Sequence, residues 1–207
     1  MYDALVFGFN FPVLWGCRKE RFLALYNEYA TSNHLDVGVG SGILLDRCRF
    51  PVADPNITLL DSSASALEFV SDRVRRYEPS TCLGSVLDPW DLPAESFGSV
   101  GMLNILHCVP GTIREKAAAF EQARAVLKPG GVLFGATVLN LGVEHTRRSR
   151  VGIAKLNRRG IFCNLGDGLE DLDAVLGDTF SDHRIELQGI VALFVAHAGN
   201  EGSPDGR

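Results

Sequence analysis

The sequence predicts an α/β fold, a doubly wound seven-stranded sheet that is mostly parallel and ends in a C-terminal antiparallel hairpin. Five apolar, strand-like runs alternate with amphipathic helical stretches up to residue 139. Because each strand then returns through a crossover, neighbouring strands in this part are expected to be parallel. Two last strand-like runs, 185–187 and 191–197, are separated only by a tight turn near Gly189, so we expect them to pair as a hairpin.

Length and composition indicate one domain over residues 1–198, followed by a disordered tail at 199–207. A chain of 207 residues with 46% hydrophobic and 22% charged residues can build one full core. The net charge of -5 argues against a general nucleic-acid binder. The five cysteines are odd in number and form no Cys-x-x-Cys pair. This indicates neither a disulfide framework nor a metal site, and it is typical of the reducing cytoplasm.

Residues 1–30 are predicted to form an N-terminal lid and a helix. The first 17 residues are apolar and aromatic, but Gly8 and Pro12 interrupt them. They also fall short of the roughly 20 apolar residues of a membrane span, so we expect neither a signal peptide nor a membrane contact. Tyr2 and Trp15 each carry a polar group and are the candidates for ligand contact. Core packing is the alternative, and for most aromatic residues of this segment it is the favoured one.

Each predicted element has a sequence signal of its own. Helices are expected where apolar residues recur every three or four positions, and strands where apolar residues alternate or run together. Residues that commonly cap helices mark three starts, namely Ser62 or Ser63, Thr112 with Glu115, and Asp167 with Glu170. The predicted strands are 34–39, 57–60, 82–87, 99–105, 132–139, 185–187 and 191–197, and the predicted helices are 19–30, 62–77, 112–127, part of 142–160 and 167–176.

Three alternate glycines, Gly38, Gly40 and Gly42, follow the first predicted strand. Glycine is needed at a turn where φ is positive or where the backbone presses against a ligand. The helix start that follows offers free N–H groups to a polar ligand, so the pattern is typical of a nucleotide-cofactor loop. Its spacing differs from the Gly-x-Gly-x-x-Gly of dinucleotide-binding oxidoreductases, which stay open as an alternative.

Acidic residues follow the next two predicted strands. In a parallel sheet, ligands bind at the carboxyl ends of the strands, where the glycine loop also lies. Asp61, at the tip of the second strand, can accept hydrogen bonds from both hydroxyls of a ribose. Asp88, after the third strand, can accept one from an exocyclic amine such as that of adenine. The pattern therefore predicts an adenosine pocket.

In these motifs the chain resembles the class I S-adenosylmethionine-dependent methyltransferases of the compact, small-molecule type. The likeness covers residues 34–139 and keeps the order of the family's motifs. It rests on Leu35-Asp36-Val37-Gly38-Val39-Gly40-Ser41-Gly42, Leu60-Asp61, Asp88-Pro89-Trp90-Asp91-Leu92-Pro93-Ala94-Glu95-Ser96-Phe97, Asn104-Ile105-Leu106-His107 and Leu127-Lys128-Pro129-Gly130-Gly131-Val132-Leu133. The resemblance implies a Rossmann-like methyltransferase fold with S-adenosyl-L-methionine as the cofactor. One departure is Gly98, where such sequences usually have Asp.

The resemblance also implies where the cofactor is held. Asp36 and the glycines seat its methionine portion, and Asp61 holds its ribose. Asp88, Pro89 and Trp90 frame the adenine. The full set of predicted cofactor-binding residues is Asp36, Gly38, Val39, Gly40, Gly42, Asp61, Ser62, Asp88, Pro89, Trp90 and Asn104.

His107 is the leading catalytic candidate, because the resemblance puts the methyl-transfer centre at the end of the fourth strand. An imidazole of near-neutral pKa can accept a proton from the acceptor, and the alternative is a residue that orients the loop or the cofactor. Cys108 is interpreted as a small buried side chain. His145 and Asn164 are weaker candidates for contact with the acceptor.

Residues 147–159 hold six basic side chains and no acid. This run could meet a carboxylate or phosphate on the acceptor, although a solvated helix face is the favoured account of such a run.

We therefore expect a cytoplasmic methyltransferase, monomeric or homodimeric, that acts on a small organic acceptor in specialised metabolism. Oxygen or carbon is favoured over nitrogen as the methylated atom, and neither nucleic acid, membrane nor metal is expected as a partner. Two alternatives stay open. One is a protein that binds the cofactor without methyl transfer, or catalyses a cyclisation or rearrangement on the same fold. The other is an NAD-dependent enzyme.

Overall fold

The computed structural model describes residues 14–199 of the chain. Their strands are β1 (Asn33–Val37), β2 (Asn56–Asp61), β3 (Ser80–Leu83), β4 (Phe97–Leu103), β5 (Leu127–Val138), β6 (Asp182–Gln188) and β7 (Val191–His197). They form one seven-stranded sheet in the order β3-β2-β1-β4-β5-β7-β6. Strands β1 to β5 are parallel, and β7 runs antiparallel between β5 and β6. The predicted mostly parallel sheet with a C-terminal hairpin is confirmed.

The helices are α1 (Lys19–Tyr29), α2 (Ile43–Arg47), α3 (Ala64–Arg73), α4 (Ala117–Val126), α5 (Arg147–Arg158) and α6 (Leu169–Thr179), with short 3₁₀ turns at Arg75–Tyr77 and Leu106–Cys108. Between residues 14 and 199, none of them has the length and apolar character that a bilayer crossing would require. The predicted lid up to residue 13, including Tyr2, and the tail from residue 200 lie outside the described residues.

The core lies on both faces of the sheet. Helices α1, α2, α3 and α5 contribute to the hydrophobic cluster on one face, and α4 and α6 to the cluster on the other. Neighbouring residues of a strand point to opposite faces, so Leu59 belongs to the first cluster and Leu60 to the second. Because both faces are covered, the central strands β4 and β7 are apolar along nearly their whole length.

The third strand is shorter than predicted. It ends at Leu83 instead of Leu87, and residues 84–96 form an irregular segment with no helix before β4. This segment contains Pro89 and Pro93, which lack the N–H that a strand or helix interior needs. Asp88 therefore lies five positions beyond the strand and not at its tip, and the expectation that it directly follows a strand was wrong.

The predicted capping residues have mixed outcomes. Ser63 caps α3, because its side chain accepts the N–H of Ala66. Thr112 and Glu115 form the reciprocal bonds of a capping box, with the Thr112 N–H 2.7 Å from the Glu115 carboxylate. The regular part of α4 begins only at residue 117, because residues 113–116 form tighter turns.

The predicted cap at Asp167 was wrong. The N-cap of α6 is Gly168, which has no side chain to accept a hydrogen bond. Asp167 is fully buried and binds Lys116 instead.

The departure at Gly98 has a packing reason. A Cβ at this position would lie 2.6 Å from the hydroxyl oxygen of Thr31. The pairing of β4 with β5 also shifts register between Phe97 and Ser99, on either side of this glycine. A larger residue at position 98 would displace Thr31, so the glycine serves the packing of the sheet.

Candidate active site

The glycine loop forms one wall of a cleft at the carboxyl ends of β1 and β4. Gly38, Gly40 and Gly42 have φ angles of 71°, 54° and 70°, a region that residues with a Cβ rarely adopt. A Cβ would come within 2.7 Å of Ile105 at Gly38 and within 2.6 Å of Val70 at Gly42. At Gly40 it would meet no atom of the described residues closer than 4.0 Å. The first and third glycines therefore permit close packing behind the loop, and Gly40 faces the cleft.

Asp61 closes the neighbouring wall of the cleft at the end of β2. Its Oδ2 accepts the N–H of Val39 at 3.1 Å, and its Oδ1 accepts the N–H of Ser63 at 2.9 Å. These two bonds fix the carboxylate against the glycine loop. Since a carboxylate has about four acceptor positions, both oxygens can accept a further hydrogen bond from a ligand.

Asp36 lies at the inner end of the cleft, near the end of β1, and is 4% exposed. Its Oδ1 accepts the hydroxyl of Tyr26, on α1, at 2.5 Å. Burial, reinforced by the charge of Asp36, raises the pKa of Tyr26 well above its ordinary value. The phenol therefore stays protonated and donates to the carboxylate.

Asn104 follows β4 on the opposite wall of the cleft. Its φ is 62°, the left-handed region that residues other than glycine seldom occupy. Its N–H donates to the carbonyl of Ala136 at 2.7 Å. Its side-chain Oδ1 is buried and has no partner among residues 14–199. A strained residue with an orphaned buried acceptor beside a cleft is typical of a ligand site.

The hydrogen-bonding groups that line the cleft fit an adenosyl amino acid. The backbone at Gly40 leaves room for a ligand to approach, and the carboxylates of Asp36 and Asp61 can accept hydrogen bonds from ammonium and hydroxyl groups. The orphaned oxygen of Asn104 adds a further acceptor. Of the predicted cofactor-binding set, the cleft brings together Asp36, Gly38, Val39, Gly40, Gly42, Asp61 and Asn104.

The residues predicted to frame adenine do not line this cleft. Asp88 and Pro89 are exposed, and so is Ser62 beside Asp61. Trp90 is only 8% exposed, and its indole N–H is buried without a partner among the described residues. Their roles toward the cofactor stay predictions.

His107 lies behind the cleft wall and is 3% exposed. Its Nδ1 accepts the backbone N–H of Val138 at 3.2 Å, and its ring packs on Phe162 with 4.3 Å between centroids. Burial, and then the nearby charge of Lys116, lowers the pKa of His107 to about 3. A neutral imidazole with one nitrogen engaged by the backbone fits the orienting role better than that of a general base. Neighbouring Cys108 is exposed and lines the cleft, so its interpretation as a buried side chain was wrong.

The remaining candidates lie away from the cleft. Trp15 is 2% exposed and packs on Phe162, with 5.7 Å between ring centroids, so it is part of the core. His145 bonds to the chain five residues before it, because its Nε2 lies 2.8 Å from the carbonyl oxygen of Asn140. Asn164 is fully buried and donates to the carbonyl of Val138 at 2.8 Å. A contact of His145 with the acceptor stays a prediction.

Sequence reasoning missed two buried polar contacts near the site. Tyr26 has the helical spacing of a core residue, and its hydroxyl was the overlooked signal. Lys116 gave no local signal at all. Its Nζ lies 2.8 Å from both carboxylate oxygens of Asp167 and 3.4 Å from the carbonyl of Cys163. Burial raises the pKa of Asp167 to about 6, and the bond to Lys116 opposes that rise.

Comparison with known proteins agrees with this geometry. A family model described as a methyltransferase domain matches residues 35–133. A demethylluteothin O-methyltransferase from Streptomyces thioluteus is 41% identical over 196 residues, which are 95% of this chain and 85% of that protein. A physcion biosynthesis cluster O-methyltransferase from Aspergillus chevalieri is 34% identical over 95% of this chain and 89% of its own length. An N-methyltransferase from Penicillium aethiopicum is 33% identical over 88% of this chain and 76% of its own length.

A solved structure shows the same fold. The N-methyltransferase NodS from Bradyrhizobium japonicum WM9, in complex with S-adenosyl-L-homocysteine, superposes with a TM-score of 0.58. It covers 87% of this chain and 84% of its own length at 16% sequence identity, so the likeness concerns the fold alone.

Proposed function

The chain belongs to the methyltransferase family and is an S-adenosylmethionine-dependent methyltransferase, and we propose that it methylates a hydroxyl oxygen of a small organic acceptor in secondary metabolism. The main support for the proposal is that the glycine loop, Asp61 and Asn104 line one cleft. The choice of oxygen is supported by the names of the relatives from Streptomyces thioluteus and Aspergillus chevalieri.

The proposed seat of S-adenosylmethionine follows the walls of the cleft. Asp61 accepts hydrogen bonds from the ribose hydroxyls, because both of its oxygens keep acceptor capacity after binding Val39 and Ser63. Asp36 and Asn104 hold the amino-acid end. Gly40 lets the ligand approach the backbone, since a Cβ there would project into the cleft.

The bound cofactor supplies a methyl group already activated by a sulfonium charge. The chain then has to align the acceptor oxygen with that methyl and exclude water. The 3₁₀ turn Leu106–Cys108 follows Asn104 directly and borders the cleft through Cys108. We assign this turn to the acceptor side of the reaction.

His107 acts in this proposal as a positioning residue. An imidazole with a pKa of about 3 is almost fully neutral at pH 7, so it is free to accept a proton. It is nevertheless too weak a base to remove the hydroxyl proton of a phenol or enol. Its Nδ1 accepts the backbone N–H of Val138, and this hydrogen bond connects the turn to the end of β5. The acceptor is therefore expected to be a phenol or enol that loses its proton to solvent and not to His107.

Methylation assays with matched acceptors test this proposal. The protein is incubated with S-adenosylmethionine and a panel of phenols, enols and the corresponding aromatic amines, and products are analysed by mass spectrometry. The proposal expects gain of one methylene on hydroxylated members and none on the amines. Transfer to the amines alone would assign the enzyme to nitrogen, as in the relative from Penicillium aethiopicum.

Tight binding of S-adenosylhomocysteine, with no methylated product from the panel or from a cell extract of the source organism, would contradict the proposed hydroxyl acceptor. We also propose a cytoplasmic location and a monomeric or homodimeric state, which fractionation and light scattering test.

A further inference from the structure

Two buried polar side chains flank Asp36 and have no part in the function proposed above. Tyr26 is 3% exposed and His34 is fully buried. They approach the same carboxylate oxygen, with 2.5 Å from the Tyr26 hydroxyl and 3.8 Å from His34 Nε2 to Asp36 Oδ1. Buried polar groups that converge on one atom restrict where the rest of that carboxylate can point.

The Tyr26 ring is held in place by its neighbours. It packs edge-on against Phe134, with 5.1 Å between centroids, and edge-on against His34 at 5.9 Å. A phenol confined in this way has one direction for its hydroxyl. Its bond to Asp36 therefore fixes the carboxylate and not only the tyrosine.

The hydrogen bonds of His34 indicate which of its nitrogens carries the proton. Ser99 Oγ accepts the backbone N–H of Thr31 at 2.9 Å and lies 2.9 Å from His34 Nδ1. His34 Nε2 is buried, has no hydrogen-bond partner among the described residues, and faces Asp36 Oδ1. A lone pair on Nε2 would point at a carboxylate, so the favoured tautomer carries the proton on Nε2 and accepts the Ser99 hydroxyl at Nδ1.

The other carboxylate oxygen of Asp36, Oδ2, can accept a hydrogen bond from a ligand in the cleft. Within residues 14–199, no donor forms a hydrogen bond to Oδ2, while Asp36 lines the cleft with Gly38 and Asn104. Gly101 of β4 makes room for this arrangement, because a Cβ there would lie 3.1 Å from Asp36 Oδ1 and 3.1 Å from the His34 ring. A single outward carboxylate oxygen with its partner oxygen already bonded is suited to one cationic donor.

We propose that Tyr26 and His34 are positioning residues that turn Asp36 so that its Oδ2 accepts the primary ammonium group at the amino-acid end of the cofactor. The inference rests on the proposed function, because it requires an adenosyl amino acid in the cleft. It adds to that function two residues that act through Asp36.

Calorimetry with two ligands tests the inference. S-adenosylhomocysteine carries the amino-acid end, and methylthioadenosine lacks it while keeping the adenosine. We expect Tyr26→Phe to weaken S-adenosylhomocysteine binding about three- to tenfold and to leave methylthioadenosine within about twofold of wild type. The matched control is Tyr29→Phe. Tyr29 lies on the same helix, but its hydroxyl donates to the exposed carboxylate of Glu28, so this substitution should change neither affinity.

A double-mutant cycle shows whether Tyr26 acts through Asp36. In an Asp36→Asn background, Tyr26→Phe should cause no further loss of S-adenosylhomocysteine affinity. An equal loss for both ligands, unchanged affinity in Tyr26→Phe, or the full loss in the Asp36→Asn background would each overturn the inference. A wild-type protein that binds neither ligand would instead overturn the proposed function.

A ligand analogue checks the same point without any substitution. We expect the wild-type protein to bind the deaminated analogue of S-adenosylhomocysteine at least about tenfold more weakly than the parent compound. Equal affinity for the two would show that Asp36 does not bind the ammonium group.

Discussion

The side of the cleft that we propose for the methyl donor (the donor side) and the side that we propose for the acceptor (the acceptor side) are built in different ways. The donor side consists of the glycine loop after β1 and the carboxylate of Asp61 at the end of β2. This carboxylate accepts one hydrogen bond from the loop and one from the start of α3. The acceptor side depends on buried contacts between residues far apart in the chain, above all Lys116 with Asp167, 51 positions later. The donor side is therefore encoded by local motifs, and the acceptor side by long-range burial of polar groups.

The buried pair supports a whole segment of the acceptor side. Lys116 binds the carboxylate of Asp167 and the carbonyl of Cys163, at the two ends of one loop. The N–H of Cys163 donates to the carbonyl of His107 at 2.8 Å, and the carbonyl of Asp167 accepts the N–H of Asn140 at 2.9 Å. Loss of this pair should therefore loosen the acceptor side and leave the donor side intact.

The largest expected effect is that of Lys116→Met. Removal of one partner leaves an unpaired buried carboxylate, and the free energy of unfolding should fall by about 3–5 kcal/mol, measured by urea denaturation. A double variant, Lys116→Met with Asp167→Leu, should recover part of the loss. A single variant as stable as wild type would show that the pair does not support the acceptor side.

Asp61→Ala should be the most damaging single change on the donor side. Loss of charged hydrogen bonds to a ribose predicts a fall of about 10- to 100-fold in affinity for S-adenosylhomocysteine, measured by calorimetry. Asp88→Ala is the comparison variant, and because its carboxylate is exposed we expect a loss below about tenfold. Equal losses would show that both acids hold the cofactor to the same degree.

Burial of neutral His107 should make the folded protein less stable in acid. The pKa of His107 is lowered from 6.5 to about 3, so below pH 6.5 the unfolded chain takes up a proton that the folded chain does not. This group's contribution to stability is complete above pH 6.5 and falls by about 1.4 kcal/mol per pH unit as the pH drops toward 3.

The difference between wild type and His107→Gln isolates that contribution. From pH 7 to pH 5, wild type should lose about 2 kcal/mol more than the variant in urea denaturation. Parallel pH profiles of the two proteins would contradict the buried, neutral state of His107.

The smallest expected effect is that of Gly40→Ala on the donor side. Its φ of 54° strains an alanine by roughly 1 kcal/mol, but the added Cβ meets no atom of residues 14–199 closer than 4.0 Å. Stability should therefore fall by only that amount, while affinity for S-adenosylhomocysteine falls because the Cβ projects into the cleft. Gly38→Ala, whose Cβ would meet Ile105 at 2.7 Å, should lose more stability. Denaturation curves of both variants check the order.

The sequence predicted the sheet because periodicity and turn residues are local signals. The seven strands, the hairpin and the glycine loop all follow from runs of fewer than about 15 residues. Asp36, Asp61 and Asn104 could be assigned to one cleft because parallel strands end at the same edge. Asp88 was misjudged because nothing local shows that β3 stops at Leu83.

The polar contacts of the interior could not be read from the sequence. Lys116 lies beside a helix start, where a lysine is ordinarily solvated, and only the folded chain buries it against Asp167. Tyr26 has the spacing of a core residue whether or not its hydroxyl has a partner. His107 lies in the 3₁₀ turn that follows β4, and its lowered pKa depends on burial that only the tertiary structure creates.

Thermal unfolding with S-adenosylhomocysteine or NAD shows whether this cleft binds an adenosyl amino acid. A ligand that binds only the folded state at one hundred times its Kd stabilises it by about 2.7 kcal/mol. We predict that S-adenosylhomocysteine raises the Tm of the wild-type protein, that NAD leaves it unchanged, and that Asp61→Ala abolishes most of the shift. A rise with NAD and none with S-adenosylhomocysteine would show that the protein binds a dinucleotide and not an adenosyl amino acid.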